Sequence, residues 1–357
     1  MKKTIIHFIY SLGRGGAETM MVNAVRELND YNNIVVTLFN DNRFEDELKC
    51  DQYICMNLQS LAGLPAAVGK LRKIIKTYKA DLVHSHLFWP TVVARLGTPL
   101  NIPLITTIHA FIASSLEYKK WYIRAIDKIS YRVRPSVIIG VAKGALKEYF
   151  SFLNLEPGKS YVLYTFVDMN RFTQKNIPDP GRKVFRLIST GALRLQKNYP
   201  FLIKAFGALK KEDIELHIFG SGPLKDSLQK LINDNGANVV LKGELKNMHE
   251  ILPQYDAFVM ASFFEGFSLA VLEAMAVKLP MMLSDIDSFK EQCAGTAIYF
   301  NLANADEFVK KVLQLKHDIS FVSEMTEQAY ERVAGNYTLP HHMNQLQAIY
   351  SAALSDL

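Results

Sequence analysis

Two glutamates eight positions apart, Glu265 and Glu273, sit in the stretch AFVMASFFEGFSLAVLEAMA over Ala257–Ala276. Carboxylates accept hydrogen bonds and therefore suit the paired hydroxyls of sugars. Ala257–Ala261 is a short apolar run, the pattern of a strand covered on both faces. Ser262, Glu265, Gly266 and Ser268 interrupt it, and good helix formers follow from Leu269. Ser268 is the expected N-cap. The first turn of such a helix leaves backbone N–H groups unpaired and adds the positive end of the helix dipole. The N–H groups of Phe267, Ser268 and Leu269 are therefore the expected seat of a diphosphate. Eight helical residues span ~12 Å, close to the reach from a sugar hydroxyl across a diphosphate to a ribose. A loop glutamate followed by an ordinary surface glutamate gives the same pattern, so the surrounding elements must decide.

Three histidines also offer chemistry. His84 and His86 share one face of a strand candidate at Asp81–His86, and His109 ends another at Pro103–His109. Ligands gather at the carboxyl ends of parallel strands, where these imidazoles fall. As metal ligands they lack a carboxylate cluster or an HExxH pattern, so no metal is expected. His84 is read as satisfying strand-end hydrogen bonds, and His109 as functional. Near the start, Gly13-Arg14-Gly15-Gly16 follows an apolar strand, Thr4–Tyr10, and precedes a helix at Ala17–Leu28. It lacks the third glycine of a dinucleotide fingerprint, but it suits a loop whose backbone approaches a phosphate or a sugar.

The elements that must carry these residues alternate strand and helix throughout, the mark of parallel sheets. A chain of 357 residues exceeds one typical core, so two domains are expected. Thr165–Gly181, TFVDMNRFTQKNIPDPG, has no periodicity and three breakers near its end, and reads as the linker. The domains are set at 1–167 and 182–335, with a C-terminal helix at about 340–357 packing back on the first. The expected architecture is α/β, two Rossmann-like domains facing across a cleft.

Composition excludes several classes. Hydrophobic residues make up 49% and charged residues 21%, ordinary for a globular protein. The net charge of +6 favours anionic partners without marking a nucleic-acid binder. Cys50, Cys55 and Cys293 form no CxxC pair and point to a reducing compartment. No apolar run reaches the length of a spanning helix. The opening MKKTIIHFIYSLGRGG has no small-x-small cleavage site, so a cytoplasmic location is expected.

Glu265-Gly-Phe-Ser-Leu-Ala-Val-Leu-Glu273 resembles the glutamate-x7-glutamate motif of retaining glycosyltransferases of the GT-B fold, above all glycosyltransferase family 4. Gly15-Gly16-Ala17-Glu18, His84-Ser-His86, His109, Asp168 with Phe172, Gly191 through Lys197-Asn198 and Gly220–Pro223 match in order, across nearly the whole chain. The resemblance implies roles. Lys197 would hold the donor diphosphate with the N–H groups after Gly266, Glu273 the ribose, and Glu265 the hydroxyls of the transferred sugar. His109 would contact that sugar, Gly15 and Gly16 would let the first loop approach it, and His86 would lie on the acceptor side. Two positions depart from the pattern. Ala192 replaces the usual arginine, for which Arg194 is the candidate substitute, and Thr165-Phe166 replaces asparagine-glycine.

The resemblance further implies transfer of a hexose-type sugar from a UDP-, GDP- or ADP-sugar to a glycan or lipid-linked glycan, with retention and without a metal or other cofactor. A glycosidase-like pair of acids about one bond is not expected, because Glu273 is better suited to ribose. An epimerase or hydrolase of nucleotide sugars, or a non-catalytic nucleotide-binding module, would use the same fold. Finally, Tyr118–Arg134 reads as a helix with Lys120, Arg124, Lys128 and Arg132 in one stripe. Trp121, Tyr122, Ala125, Ile126, Ile129 and Val133 adjoin it. It is either a helix packing its apolar face on the sheet or a peripheral anchor on an anionic membrane.

Overall fold

The computed structural model describes residues 2–355 apart from 14, 114, 116, 173–182, 246 and 319. The latter part of the expected linker thus lies outside the described residues. The chain divides into two compact units, Met1–Thr165 with Pro340–Leu357, and Phe166–Leu339.

The first unit runs β1 (Lys3–Ile9), α1 (Gly16–Glu27), β2 (Tyr31–Thr37), β3 (Gln52–Cys55), α2 (Leu64–Tyr78), β4 (Leu82–His86) and α3 (Phe88–Gly97). It continues through β5 (Leu104–Ile108), α4 (Trp121–Val133), β6 (Val137–Gly140), α5 (Lys143–Leu153) and β7 (Ser160–Val162). Among the described residues its seven strands are ordered β3-β2-β1-β4-β5-β6-β7, all parallel. Helices on both faces explain why β1, after Lys3, and β4 are buried at every position, His84, Ser85 and His86 included.

The second unit holds β8 (Phe185–Thr190), α6 (Tyr199–Ala208), β9 (Ile214–Phe219), α7 (Lys225–Asn235), β10 (Val239–Gly243) and α8 (Met248–Ile251). Then come β11 (Ala257–Met260), α9 (Leu269–Ala276), β12 (Met281–Ser284), α10 (Asp287–Cys293), β13 (Ile298–Phe300), α11 (Ala305–His317) and α12 (Ser323–Asn336). Its six-stranded parallel sheet is ordered β10-β9-β8-β11-β12-β13. Its core joins Leu187, Ile203, Phe206, Ile218, Val259, Phe300 and Phe308.

Both sheets therefore reverse strand order after their first strand, the doubly wound arrangement. The last helix, α13 (Leu339–Ser355), belongs almost wholly to the first unit, where Tyr350 is fully buried. Apolar periodicity does not pick out β3, β7 or α10. The first two are edge strands of four and three residues without fully buried positions, so they carry little alternation to read.

Candidate functional site

In a doubly wound sheet, ligands bind beyond the carboxyl ends of the strands where strand order reverses. In the second unit that point lies between β8 and β11, and the loops leaving them carry Gly191–Lys197 and Ser262–Ser268. The structure brings Lys197 and Glu265 together, with Nζ 2.7 Å from Oε1. The same Oε1 accepts from Ser262 Oγ at 2.6 Å, and Ser284 Oγ fixes the Ser262 carbonyl at 2.7 Å. Glu265 is 7% exposed. Two more bonds join the loops: Phe263 N donates to the Gln196 carbonyl and Gln196 Nε2 to the Phe264 carbonyl, both at 2.9 Å.

Glycine makes this packing feasible. Gly191 has φ +151°, and a Cβ there would come within 2.8 Å of Lys197 Cε. At Gly220, φ +150°, a Cβ would meet the Gly191 carbonyl oxygen at 2.0 Å. Only glycine fits either place.

Ser268 stands at the N-cap of α9, but its hydroxyl makes no capping bond there. Instead the Gln292 side chain, fully buried on α10, takes both backbone groups of Ser268. Its Oε1 accepts from the N–H at 3.0 Å, and its Nε2 donates to the carbonyl at 2.8 Å. The Ser268 N–H is thus committed to Gln292 rather than turned outward, a change from the expected diphosphate seat. Phe267 is buried, its ring 5.0 Å from Tyr337 in edge-on contact, and Leu269 opens the helix beside buried Gly266. Glu273 lies along α9, and burial pushes its carboxyl up to about 7 against the opposing pull of Arg171. Arg194 is exposed at the start of the short turn that ends in Lys197. Phe166, at the linker position that departs from the family pattern, is buried and does not adopt a positive φ.

In the first unit, strand order reverses between β1 and β4. Gly15 caps α1 in extended conformation, with the Glu18 carboxylate where a Cβ would lie, and Gly16 begins the helix. At the end of β4, His86 Nδ1 lies 3.1 Å from His109 Nε2. His84 is held from both sides, Nδ1 by Tyr350 OH and Nε2 by Thr107 Oγ1, each at 2.7 Å. This agrees with reading it as hydrogen-bonded structure. His7 Nε2 meets Asn33 Oδ1 at 3.1 Å, and His342 Nδ1 donates to the Tyr164 carbonyl at 2.7 Å. Burial lowers every one of these imidazoles: His7 and His342 to about 4, His109 to about 3, His84 and His86 well below their ordinary value. His7, His84 and His86 bring ring nitrogens within 4.8 Å of one another. Both His84 nitrogens are already engaged by hydroxyls, which suits a hydrogen-bonded cluster better than a metal shell.

Sequence reasoning misses Ser262, Gln292, His7, His342 and Tyr350. Ser262 is three residues before Glu265 and within reach of a local signal. Gln292, His342 and Tyr350 act across chain separations no local pattern records.

Helix α4 turns inward a mixed face that carries Asp127 and Ser130. Ile123, Asp127, Ser130 and Tyr131 are buried, while Trp121 is 72%, Ile129 60% and Val133 64% exposed. Asp127 pairs with Arg95 of α3 at 2.5 Å, and Tyr149 OH both accepts from Arg95 and donates to Asp127. The reading in which the apolar face packs on the sheet is therefore corrected, because a buried ion pair occupies the inner face. Among the described residues, no helix is long and apolar enough to cross a membrane.

Similarity to known proteins covers both units. The family model "Glycosyltransferase Family 4" matches residues 14–171, and "Glycosyl transferases group 1" matches 184–318. The N-acetylgalactosamine-N,N'-diacetylbacillosaminyl-diphospho-undecaprenol 4-alpha-N-acetylgalactosaminyltransferase of Campylobacter jejuni is 26% identical, covering 84% of this chain and 85% of its own. An Escherichia coli UDP-Gal:alpha-D-GlcNAc-diphosphoundecaprenol alpha-1,3-galactosyltransferase is 22% identical over 83% of this chain and 81% of its own. Anabaena HepE, solved with UDP and glucose, shares the fold at a TM-score of 0.84 and 16% identity, covering 97% of this chain and 99% of its own. With both halves matched and both doubly wound sheets in place, the chain is a glycosyltransferase of the GT-B fold and belongs to glycosyltransferase family 4.

Proposed function

We propose that this enzyme moves a hexose-type sugar, with retention of configuration, from a nucleoside diphosphate sugar to a glycan or lipid-linked glycan acceptor in cell-surface polysaccharide synthesis. One observation carries the donor assignment. Lys197 and Ser262 both engage Glu265 Oε1, and among the described residues no group takes Oε2. A fixed carboxylate with one oxygen open, beyond the switch point of the sheet, is suited to accept from sugar hydroxyls.

Lys197 neutralises the departing diphosphate, aided by the start of α9 and by Arg194, while Glu273 holds the ribose. The acceptor attacks on the face the diphosphate leaves, and the β-phosphate takes its proton, so neither glutamate serves as a nucleophile and no metal is needed. Engagement of Glu265 by a lysine supports that division. Gly15, Gly16 and His109 serve the sugar and acceptor from the first unit, residues 1–167 with the C-terminal helix, and His86, expected on the acceptor side, is buried behind His109 and acts through it; residues 182–335 form the donor domain. Relatives named for diphospho-undecaprenol acceptors support a lipid-linked glycan, and a galactosyltransferase named for UDP-Gal supports a UDP-sugar.

Such an acceptor sits in a membrane, and the exposed Trp121, Ile129 and Val133 beside Lys120, Arg124, Lys128 and Arg132 suit docking on an anionic inner leaflet. A thermal-shift screen of UDP-, GDP- and ADP-sugars tests the donor reading. One nucleotide class should raise Tm by several degrees at saturating ligand; no shift with any of them refutes it.

A further inference from the structure

His86 is 2% exposed, and its Nε2 is buried without a hydrogen-bond partner among the described residues. Its other nitrogen, Nδ1, faces His109 Nε2 at 3.1 Å. Two neutral imidazoles in that contact share one proton, and the ring that supplies it fixes the tautomer of the other. We infer that His86 is a positioning residue that donates from Nδ1 to His109 Nε2, holding His109 in the tautomer whose N–H is at Nδ1. His109 then meets its ligand as a donor to an oxygen, not as a base.

The direction follows from what each alternative would bury. If His86 carried its proton on Nε2, that N–H would be an orphaned donor in the core. With the proton on Nδ1, the orphan is a bare acceptor, which interiors tolerate better. Burial keeps both members of the pair uncharged at neutral pH. No protein group among the described residues takes His109 Nδ1, and His109 itself is only half-buried. Its Nδ1–H is therefore left for a ligand. This polarity rests on the reading that His109 meets the transferred sugar, and it means that a sugar oxygen accepts in that contact.

The test has two arms. Nitrogen NMR of the full chain labelled with 15N-histidine reads the tautomer without any substrate. His109 should show a protonated, pyrrole-type Nδ1 and a bare, pyridine-type Nε2, and the reverse pattern overturns the inference. The second arm compares His86→Leu with His86→Asn, whose amide can donate from the Nδ1 position. His86→Leu should lower kcat on the order of tenfold, the loss of one hydrogen bond, with nucleoside diphosphate Kd unchanged. His86→Asn should restore most of that loss and the His109 signature. Equal loss of kcat in two variants of native Tm would make His86 merely structural and overturn the inference, as would wild-type turnover in His86→Leu. Failure of the wild type to bind any nucleotide sugar would instead refute the proposed function, with the tautomer still readable.

Discussion

Lys197 Nζ lies 2.7 Å from Glu265 Oε1, so the cation assigned to the diphosphate is held by the carboxylate assigned to the sugar. Removing the carboxylate releases the lysine. Glu265→Ala should therefore lose turnover by on the order of a hundredfold or more, while nucleoside diphosphate binds as well as before or more tightly. Lys197→Ala should weaken that binding by about 1–3 kcal/mol. Calorimetry with the free nucleotide separates the two. Weaker nucleotide binding in Glu265→Ala would break the assignment.

Glu273 is half-buried, and desolvation raises its carboxyl from the ordinary value to about 7. A raised carboxyl in the fold costs stability as pH rises through 4.5 to 7, because the unfolded chain then ionises more readily. Glu273→Gln should thus stabilise the protein at pH 8 by about 1–3 kcal/mol while lowering nucleotide affinity. Denaturant melts at pH 8 paired with calorimetry read both. A variant no more stable and equally able to bind would remove both the burial argument and the ribose role.

The imidazole cluster gives the opposite pH trend. His7 and His342 are lowered from 6.5 to about 4, so below 6.5 the unfolded chain binds more protons than the fold. Their contribution is fully present above pH 6.5 and is lost as pH falls toward 4. Each accounts for about 3 kcal/mol at the end of that window. Urea melts between pH 7 and 4.5 should show a steep decline that is shallower in His7→Asn. An identical slope in the variant would rule out burial of His7 as a cause of the decline.

Arg194 stands two positions after Ala192 and is exposed. If it substitutes for the missing arginine, Arg194→Ala should cost about 1–3 kcal/mol of diphosphate affinity. A change within assay error leaves Lys197 and the start of α9 acting without it.

Changing Lys120, Arg124, Lys128 and Arg132 to glutamate should abolish co-sedimentation with anionic vesicles at low salt, each cation contributing about 1 kcal/mol. Trp121→Ser alone should weaken binding, and salt should weaken the wild type. Equal binding by wild type and the charge-reversed variant, or none by either, would show that α4 is not the anchor.

Much of the fold is legible in the chain because local chemistry writes it there. The apolar run before Glu265, the helix formers after Ser268 and the breakers between them place β11, the loop and α9 within about one residue. Lys197 and Glu265 are recognisable by motif resemblance, but their contact spans 68 positions, and no periodicity reports such a pairing. Gln292 is invisible for the same reason: a glutamine on a short helix has no pattern until the fold brings it to Ser268. Helix α4 is ambiguous in the sequence because amphipathicity marks two faces without saying which one is inside. Arg95, from another helix, decides that by pairing with Asp127.

The reaction itself is best judged by its product. Wild-type enzyme incubated with an α-linked nucleotide sugar and a diphospho-lipid-linked glycan should release nucleoside diphosphate only when the acceptor is present. NMR of the product should then show a new α-glycosidic linkage. A β-linkage would contradict retention, and nucleotide release or sugar conversion that ignores the acceptor would contradict transfer and point to a hydrolase or epimerase.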